Sequence, residues 1–219
     1  MAGDLVLYRS VASRSIVALW LLEELGVPYR TETYDIARGE TRSSEYLALN
    51  PRGTVPMIVD GETKVTETAA ICLYLADRYG YGTLAPRLEA PERGPYMSWI
   101  VWATAVLEPA STLVGHEFET KRGSWGFGFG SLDRELEVLE AALAASGYVA
   151  GRAFTAADVI VGAVVAMRLQ TGELPPHPVL TAYADRNAAR PAFDKAAKLN
   201  WPPELFGPRE VKDEPAKPG

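Results

Sequence analysis

The strongest constraint on the fold is an abrupt change of pattern near residue 80. Over residues 1–80, short strand-like segments alternate with helical ones, and we predict the order β-α-β-α-β-β-α. After a linker at 81–92, rich in Gly, Pro and charge, only helical spacing is found. The sequence therefore predicts a small α/β domain followed by an all-helical domain at 93–205. Residues 206–219 are charged and contain prolines, so we expect a disordered tail.

The element boundaries follow from hydrophobic spacing and from Gly and Pro stops. Strands are predicted at 4–8, 27–36 and 55–59, with a fourth after the hairpin signal Asp60-Gly61. Helices are predicted at 13–25, 42–50, 66–80, 93–118, 131–146, 156–170, 178–189 and 191–199.

Composition excludes several classes of function. A net charge of −6 and a pI near 5.1 argue against nucleic acid or an anionic membrane as the main partner. The single cysteine, Cys72, allows no intrachain disulfide and is expected to be a buried structural thiol, while His116 and His177 match no metal-ligand spacing. The N-terminus has charges where a signal peptide needs apolar residues, and the apolar run 97–107 is short for a membrane span. We therefore expect a cytoplasmic protein without a metal.

Two local patterns stand out. In the stretch NPRGTVPMIVDG, Pro56 lies inside a predicted strand, although a proline cannot donate to a ladder and belongs at an edge, a strand start or a bulge. Farther along, Thr155 and Asp158 have the spacing of a capping box, which predicts the start of a helix.

Four segments together resemble one family, the cytosolic glutathione transferases. They are SRSIVALWLLEELGVPY (13–29), NPRGTVP (50–56), the Glu67-Thr68 pair before AAICLYLADRY, and GRAFTAADV (151–159). They occur in the family's order and spacing over nearly the whole chain, and the first is similar to bacterial members of the serine type. The resemblance implies a thioredoxin-like α/β N-terminal domain plus an all-α C-terminal domain. It also implies glutathione as co-substrate and a twofold homodimer.

The resemblance also implies how glutathione is held. In the family the bond before the proline matching Pro56 is cis, so the main-chain groups of Val55 would pair with the cysteinyl residue from the edge of the sheet. The Thr68 hydroxyl and N–H would hold the γ-glutamyl carboxylate, and Glu67 would face its ammonium group; the family more often has serine at the threonine position. The alternatives are a protected strand end and a plain helix cap. The candidates for the glycine carboxylate are Arg38, Arg42 and Arg52, with Arg42 preferred.

The loop RSVASRS (9–15) is where the family places the group that stabilises the glutathione thiolate. Gap-free counting from the first helix favours Ser13, with Ser10 and Ser15 as further candidates and Tyr8 or main-chain amides as alternatives. A hydroxyl that donates to the sulfur would lower the thiol pKa.

A cysteine mechanism is disfavoured by the residues at two positions. Ser15 would match the serine that follows the cysteine of the beta class, but Arg14 then replaces that cysteine, and Glu108 falls roughly where that class has a histidine.

The leading hypothesis is therefore a glutathione transferase that joins the thiolate to a small hydrophobic electrophile. A glutathione-dependent peroxidase, dehalogenase or isomerase and a non-catalytic glutathione-binding scaffold are the alternatives. In the segment GSWGFGFGS, the aromatic residues Trp125, Phe127 and Phe129 are candidates to cover the second substrate.

Overall fold

A four-stranded mixed sheet forms the first part of the chain in this computed structural model, which describes residues 5–115 and 128–202. The strands are β1 (Leu5–Arg9), β2 (Arg30–Thr33), β3 (Met57–Asp60) and β4 (Thr63–Thr66). Their order in the sheet is β2-β1-β3-β4. β2 runs parallel to β1, whereas β3 is antiparallel to both of its neighbours.

Helices cover the sheet and make up the rest of the described chain. The first three are α1 (Ser15–Leu25), α2 (Ser44–Leu49, after a 3₁₀ turn Glu40–Arg42) and α3 (Thr68–Tyr79). Those that follow are α4 (Arg93–Trp102), α5 (Glu108–Gly115), α6 (Leu132–Ser146), α7 (Ala156–Thr171), α8 (Pro178–Ala188) and α9 (Pro191–Asn200). No strand follows β4 in the part of the chain that the structure describes. The predicted thioredoxin-like domain and helical domain are therefore confirmed.

Helix α1 joins the two parts because almost all of its surface is buried. Every residue from Ser15 to Leu22 is buried, and the Trp20 ring contacts Phe154 and Phe193 of the helical part at centroid distances of 5.9 and 5.0 Å. Glu24 of α1 accepts two hydrogen bonds from Arg190 at 2.5 and 2.8 Å. The sequence pattern predicts a helix there, but only the packing shows that both domains bury it.

The structure corrects two expectations about the sheet. The bond between Val55 and Pro56 is cis, as predicted, but β3 is an inner strand that begins only at Met57. Val55 therefore lies just before the start of an inner strand. The prediction that Val55 belongs to a strand at the edge of the sheet was wrong. The hairpin turn is also shifted by one residue, because Asp60 still pairs with Thr63 across it.

A continuous helix of 23 residues runs from Arg93 to Gly115. A π turn, Ala103–Leu107, joins α4 to α5 just before the helix-interior Pro109, which has no N–H to donate. The helix has the length and hydropathy of a membrane span, a test that core helices of soluble proteins also pass. Its residues Ile100 and Leu107 are fully buried in the hydrophobic core.

The capping box at the start of α7 is confirmed. The Thr155 hydroxyl accepts from the Ala157 N–H at 3.3 Å, and Asp158 Oδ2 accepts from the Thr155 N–H at 3.0 Å. The other carboxylate oxygen of Asp158 accepts from the Val149 N–H at 2.9 Å and the Tyr183 hydroxyl at 3.0 Å. Burial raises the pKa of Asp158, while these hydrogen bonds act in the opposite direction. Asp158 thus connects three segments of the helical domain.

Candidate active site

Strand register brings the three predicted site segments to one end of the sheet. Tyr8 of β1 pairs with Met57 of β3, and Met57 pairs with Thr66 of β4. These three paired residues lie next to the end of β1, at the start of β3 and at the end of β4. The loop after β1, the segment before β3 and the junction between β4 and α3 therefore leave the sheet at the same end. Their proximity could not be read from their sequence separation.

The segment before β3 is held in place from behind. Tyr46 Oη and Asn50 Nδ2 both donate to the Thr54 carbonyl, at 2.7 and 2.8 Å. Burial raises the pKa of Tyr46, which keeps its phenol protonated as a donor. The N–H and C=O groups of the half-buried Val55 have no hydrogen-bond partner among the described residues. A preorganised pair of main-chain groups is thus left available for a ligand. Sequence reasoning missed Tyr46 and Asn50, although Asn50 begins the NPRGTVP motif.

The glycine of that motif is required by a close approach. Gly53 has φ of +61°, and a Cβ there would lie 2.7 Å from Arg42 Nη1 and 2.8 Å from the Thr41 carbonyl. Arg42 also donates from Nη1 to the Arg52 carbonyl at 3.0 Å. Arg42 thus supports the loop from its exposed side. Arg38 instead pairs with Asp35 at 3.3 Å.

The start of α3 has the open form that an anion-binding helix end needs. Glu67 is a non-glycine residue with φ of +69°, and no side chain caps the helix there. A plain helix cap, the alternative reading of this pair, would thus act here without a side-chain hydrogen bond. Such backbone conformations are costly and concentrate at functional sites. Glu67 is exposed and pairs with Arg52 at 3.2 Å, while Thr68 is half-buried at the first helical position. Unpaired N–H groups and the positive end of the helix dipole suit a carboxylate.

The serines of the first loop form a connected network. Ser13 Oγ lies 2.8 Å from both the Ser10 carbonyl and Ser15 Oγ. A hydroxyl has one proton, and a carbonyl can only accept, so Ser13 donates to Ser10 and accepts from the Ser15 hydroxyl. Ser13 Oγ also accepts from the Ser15 N–H at 3.1 Å, and Ser15 Oγ accepts from the Ser10 N–H at 3.3 Å. Donors that point at Ser13 Oγ polarise its O–H group.

Burial distinguishes the three serines. Ser15 is fully buried and Ser10 is 3% exposed, whereas Ser13 is half-buried at the surface of the loop. Only the Ser13 hydroxyl combines access with polarisation by its neighbours. Tyr8 lies within β1, with its ring 6.3 Å from those of Tyr34 and Tyr46.

Arg14 and Glu108 meet across the two domains beside this loop. Arg14 Nε donates to Glu108 Oε1 at 2.7 Å, and the Glu108 side chain is only 10% exposed. The two positions that the sequence analysis compared with a cysteine and a histidine are therefore neighbours in space. The guanidinium of Arg14 neutralises the buried Glu108 carboxylate next to the loop. A glutathione thiolate bound at the loop would therefore not be repelled by an unpaired negative charge.

The structure assigns none of the remaining described candidates to this cluster. Trp125 and Phe127 lie outside the described residues, and Phe129 is buried in the hydrophobic core. Cys72 is fully buried, and burial raises the pKa of its thiol well above the usual value, which confirms a structural thiol. Within residues 5–115 and 128–202, no group of His, Cys, Asp or Glu side chains could hold a metal ion.

Comparison with known proteins agrees with this arrangement. Residues 3–77 match the glutathione S-transferase N-terminal domain, and residues 103–191 match the C-terminal domain. The chain is 32% identical to glutathione S-transferase F10 of Arabidopsis thaliana, over 71% of this chain and 76% of that protein. It is 30% identical to glutathione S-transferase 3 of Zea mays, over 92% and 97%.

Solved structures give the same result. A glutathione transferase from Methylococcus capsulatus superposes with a TM-score of 0.74 at 26% identity, covering 90% of this chain and 98% of that one. A sphingomonad glutathione S-transferase in complex with glutathione gives 0.72 at 27% identity, covering 89% and 98%. A thioredoxin-like domain joined to a helical domain, each matching its own model of one family, defines the class of the protein. This chain belongs to the glutathione S-transferase family.

Proposed function

We propose that glutathione lies across the end of the sheet formed by Val55, Glu67, Thr68 and the first loop. The enzyme is a glutathione transferase, and glutathione is its co-substrate. The Val55 N–H and C=O groups pair with the cysteinyl residue as a short added strand. Thr68 and the open N-terminus of α3 hold the γ-glutamyl carboxylate. Glu67 turns from Arg52 toward the ammonium group of the same residue.

The glycine carboxylate of glutathione needs a cation on the opposite side of Val55. Arg42 supplies this cation. Its Nη1 already donates a hydrogen bond to the Arg52 carbonyl next to the site, and its side chain remains exposed. Pro56 follows Val55 in the chain and is buried, and in this proposal it supports the pairing segment.

Ser13 carries the catalytic step in this proposal. A free thiol with a pKa near 8.5 is mostly protonated at neutral pH. When glutathione binds, the Ser13 hydroxyl turns from the Ser10 carbonyl to the sulfur and donates to the thiolate. Ser15 supports it by donating to Ser13 Oγ, and Ser10 contributes main-chain groups. The thiolate then attacks an electrophilic carbon, and enzyme side chains form no covalent intermediate. This assigns the chain to the serine type.

The electrophile is a small hydrophobic molecule that enters between the first loop and the α4–α5 helix. A cytoplasmic protein that removes such electrophiles is the corresponding role. A twofold homodimer is part of the proposal, since Met97 and Val101 are 45% and 50% exposed one helical turn apart on α4. Light scattering of the purified chain tests the dimer.

The single observation that carries the proposal is that the segments containing Ser13, Val55 and Thr68 lie at the same end of the sheet. A structure with glutathione bound tests it, and we expect the sulfur within hydrogen-bond reach of Ser13 Oγ. A tripeptide bound away from Val55 would refute the binding mode. Retention on immobilised glutathione without turnover of an aryl halide would favour a glutathione-dependent peroxidase, dehalogenase or isomerase, or a non-catalytic scaffold.

A further inference from the structure

The C-terminal end of α9 is hydrogen-bonded to the loop that carries Ser13. The Ala12 N–H donates to the Asn200 carbonyl at 2.8 Å, and Arg9 Nη1 donates to the Leu199 carbonyl at 3.0 Å. Asn200 Nδ2 donates in turn to the Ser13 carbonyl at 3.2 Å. The last carbonyls of a helix have no partner within the helix. Here two of them are used to fix a loop at the other end of the chain.

Asn200 is an unusual residue for its position. It is fully buried, and its Oδ1 has no hydrogen-bond partner among the described residues. Burying an amide is costly unless its polar atoms are bonded, so an apolar side chain would fill this place at lower cost. The hydrogen bond to Ser13 is the one that this side chain makes within the described chain, and it acts on the loop.

The loop needs such support because its backbone is held in an unfavourable conformation. Ala12 has φ of +48°, a region that residues with a Cβ rarely adopt. A conformation of this kind persists only when the surrounding structure imposes it. The Ala12 N–H donates to the Asn200 carbonyl, and the Ser13 carbonyl accepts from the Asn200 side-chain amide. These two hydrogen bonds flank the Ala12–Ser13 peptide and impose its conformation.

We propose that Asn200 is a positioning residue for the Ser13 hydroxyl, an inference that rests on the function proposed above. With the Ser13 backbone fixed by Asn200, the hydroxyl reaches the sulfur by rotation about χ1 alone. Without the Asn200 amide, the Ser13 peptide relaxes and the hydrogen bond to the thiolate lengthens. The last helix of the helical domain thereby sets the acidity of a thiol bound to the other domain.

The test compares Asn200→Ala and Asn200→Leu with the control Asn187→Ala. Asn187 is also a buried asparagine, 2% exposed, but it lies in α8 against Gly162. The thiol pKa of bound glutathione is measured by ultraviolet titration of the thiolate, together with the Kd for glutathione and the Tm. Both Asn200 variants should raise the thiol pKa and lower kcat/KM at pH 6.5 by about 3- to 10-fold, the size of one hydrogen bond. The Kd should change by less than about twofold, because the Val55 and Thr68 contacts remain. Asn187→Ala should leave the thiol pKa and kcat/KM unchanged, because Asn187 makes no contact with the first loop.

A folded Asn200→Leu protein with the wild-type thiol pKa would overturn the inference; leucine fills the space, so this variant is expected to fold even if Asn200→Ala does not. Ser13→Ala separates this failure from failure of the proposed function. If Ser13→Ala raises the thiol pKa and neither Asn200 variant does, only the positioning role is lost. If Ser13→Ala leaves the thiol pKa unchanged, the assignment of Ser13 itself is wrong.

Discussion

Replacing Ser13 with alanine is the most direct perturbation of the site. The substitution removes the one accessible hydroxyl of the first-loop network, while the Ser10 and Ser15 side chains remain. A hydrogen bond to a charged group contributes roughly 1.5–3 kcal/mol. Since one pKa unit corresponds to 1.36 kcal/mol, the thiol pKa of bound glutathione should rise by about 1–2 units.

The sign of the pH dependence follows from the direction of that shift. The Ser13 hydroxyl favours the charged thiolate. Without it, kcat/KM should begin to increase only at a higher pH. At a pH below both pKa values, kcat/KM should fall by about 10- to 100-fold, and the difference should shrink as the pH approaches the raised pKa. The assay is the pH profile of kcat/KM with an aryl halide, alongside ultraviolet titration of the bound thiol.

Matched variants make the result decisive. Ser13→Thr keeps the hydroxyl and should retain most of the activity, and Ser146→Ala in α6 removes a distant serine hydroxyl. An unchanged thiol pKa in folded Ser13→Ala would refute the reasoning. A loss of activity in Ser10→Ala or Tyr8→Phe instead would move the role to that residue.

The other predictions concern binding, stability and reactivity. Thr68→Ala should raise the KM for glutathione by about 10-fold or more, because a bond to a carboxylate is lost, whereas Thr68→Ser should not; steady-state kinetics at saturating electrophile measure this. Thr155→Ala should reduce the free energy of unfolding by about 0.5–2 kcal/mol, as for other N-caps, and activity well below the Tm should stay near normal. Asp158→Ala should cost roughly 3 kcal/mol or more, because the buried donors of Val149 and Tyr183 lose their acceptor; equal costs for the two variants in urea titrations would contradict this. Cys72 should resist a thiol reagent until the protein unfolds, and rapid labelling of the native protein would show that the buried position is wrong.

Local chemistry explains how much of the fold could be predicted. The Thr155–Asp158 capping box and the helices after residue 93 follow from spacing and cap residues, and the structure has them within a few residues. The position of β3 could not be obtained in this way. Strand order depends on pairing between segments far apart in sequence, and this pairing places β3 inside the sheet rather than at its edge.

The same distinction between local patterns and long-range contacts applies to the candidate site. Pro56, Glu67 and Thr68 were predicted from their motif, but the support for the Thr54 carbonyl by Tyr46 and Asn50 was not. A donor buried behind a loop leaves no periodic pattern in the sequence. The proposal of Ser13 among the three serines likewise needed their burial, which depends on how α1 packs.

By itself, the sequence determined the kinds of local structure and the residue types in the segments that meet at one end of the sheet. It did so because caps, turns and hydrophobic spacing act between residues close along the chain. Only the tertiary structure decided that Arg14 meets Glu108 and that Asn200 holds the backbone of Ser13. Those contacts join residues 94 and 187 positions apart, and they exist only because both domains bury α1 and fix the loop in front of it.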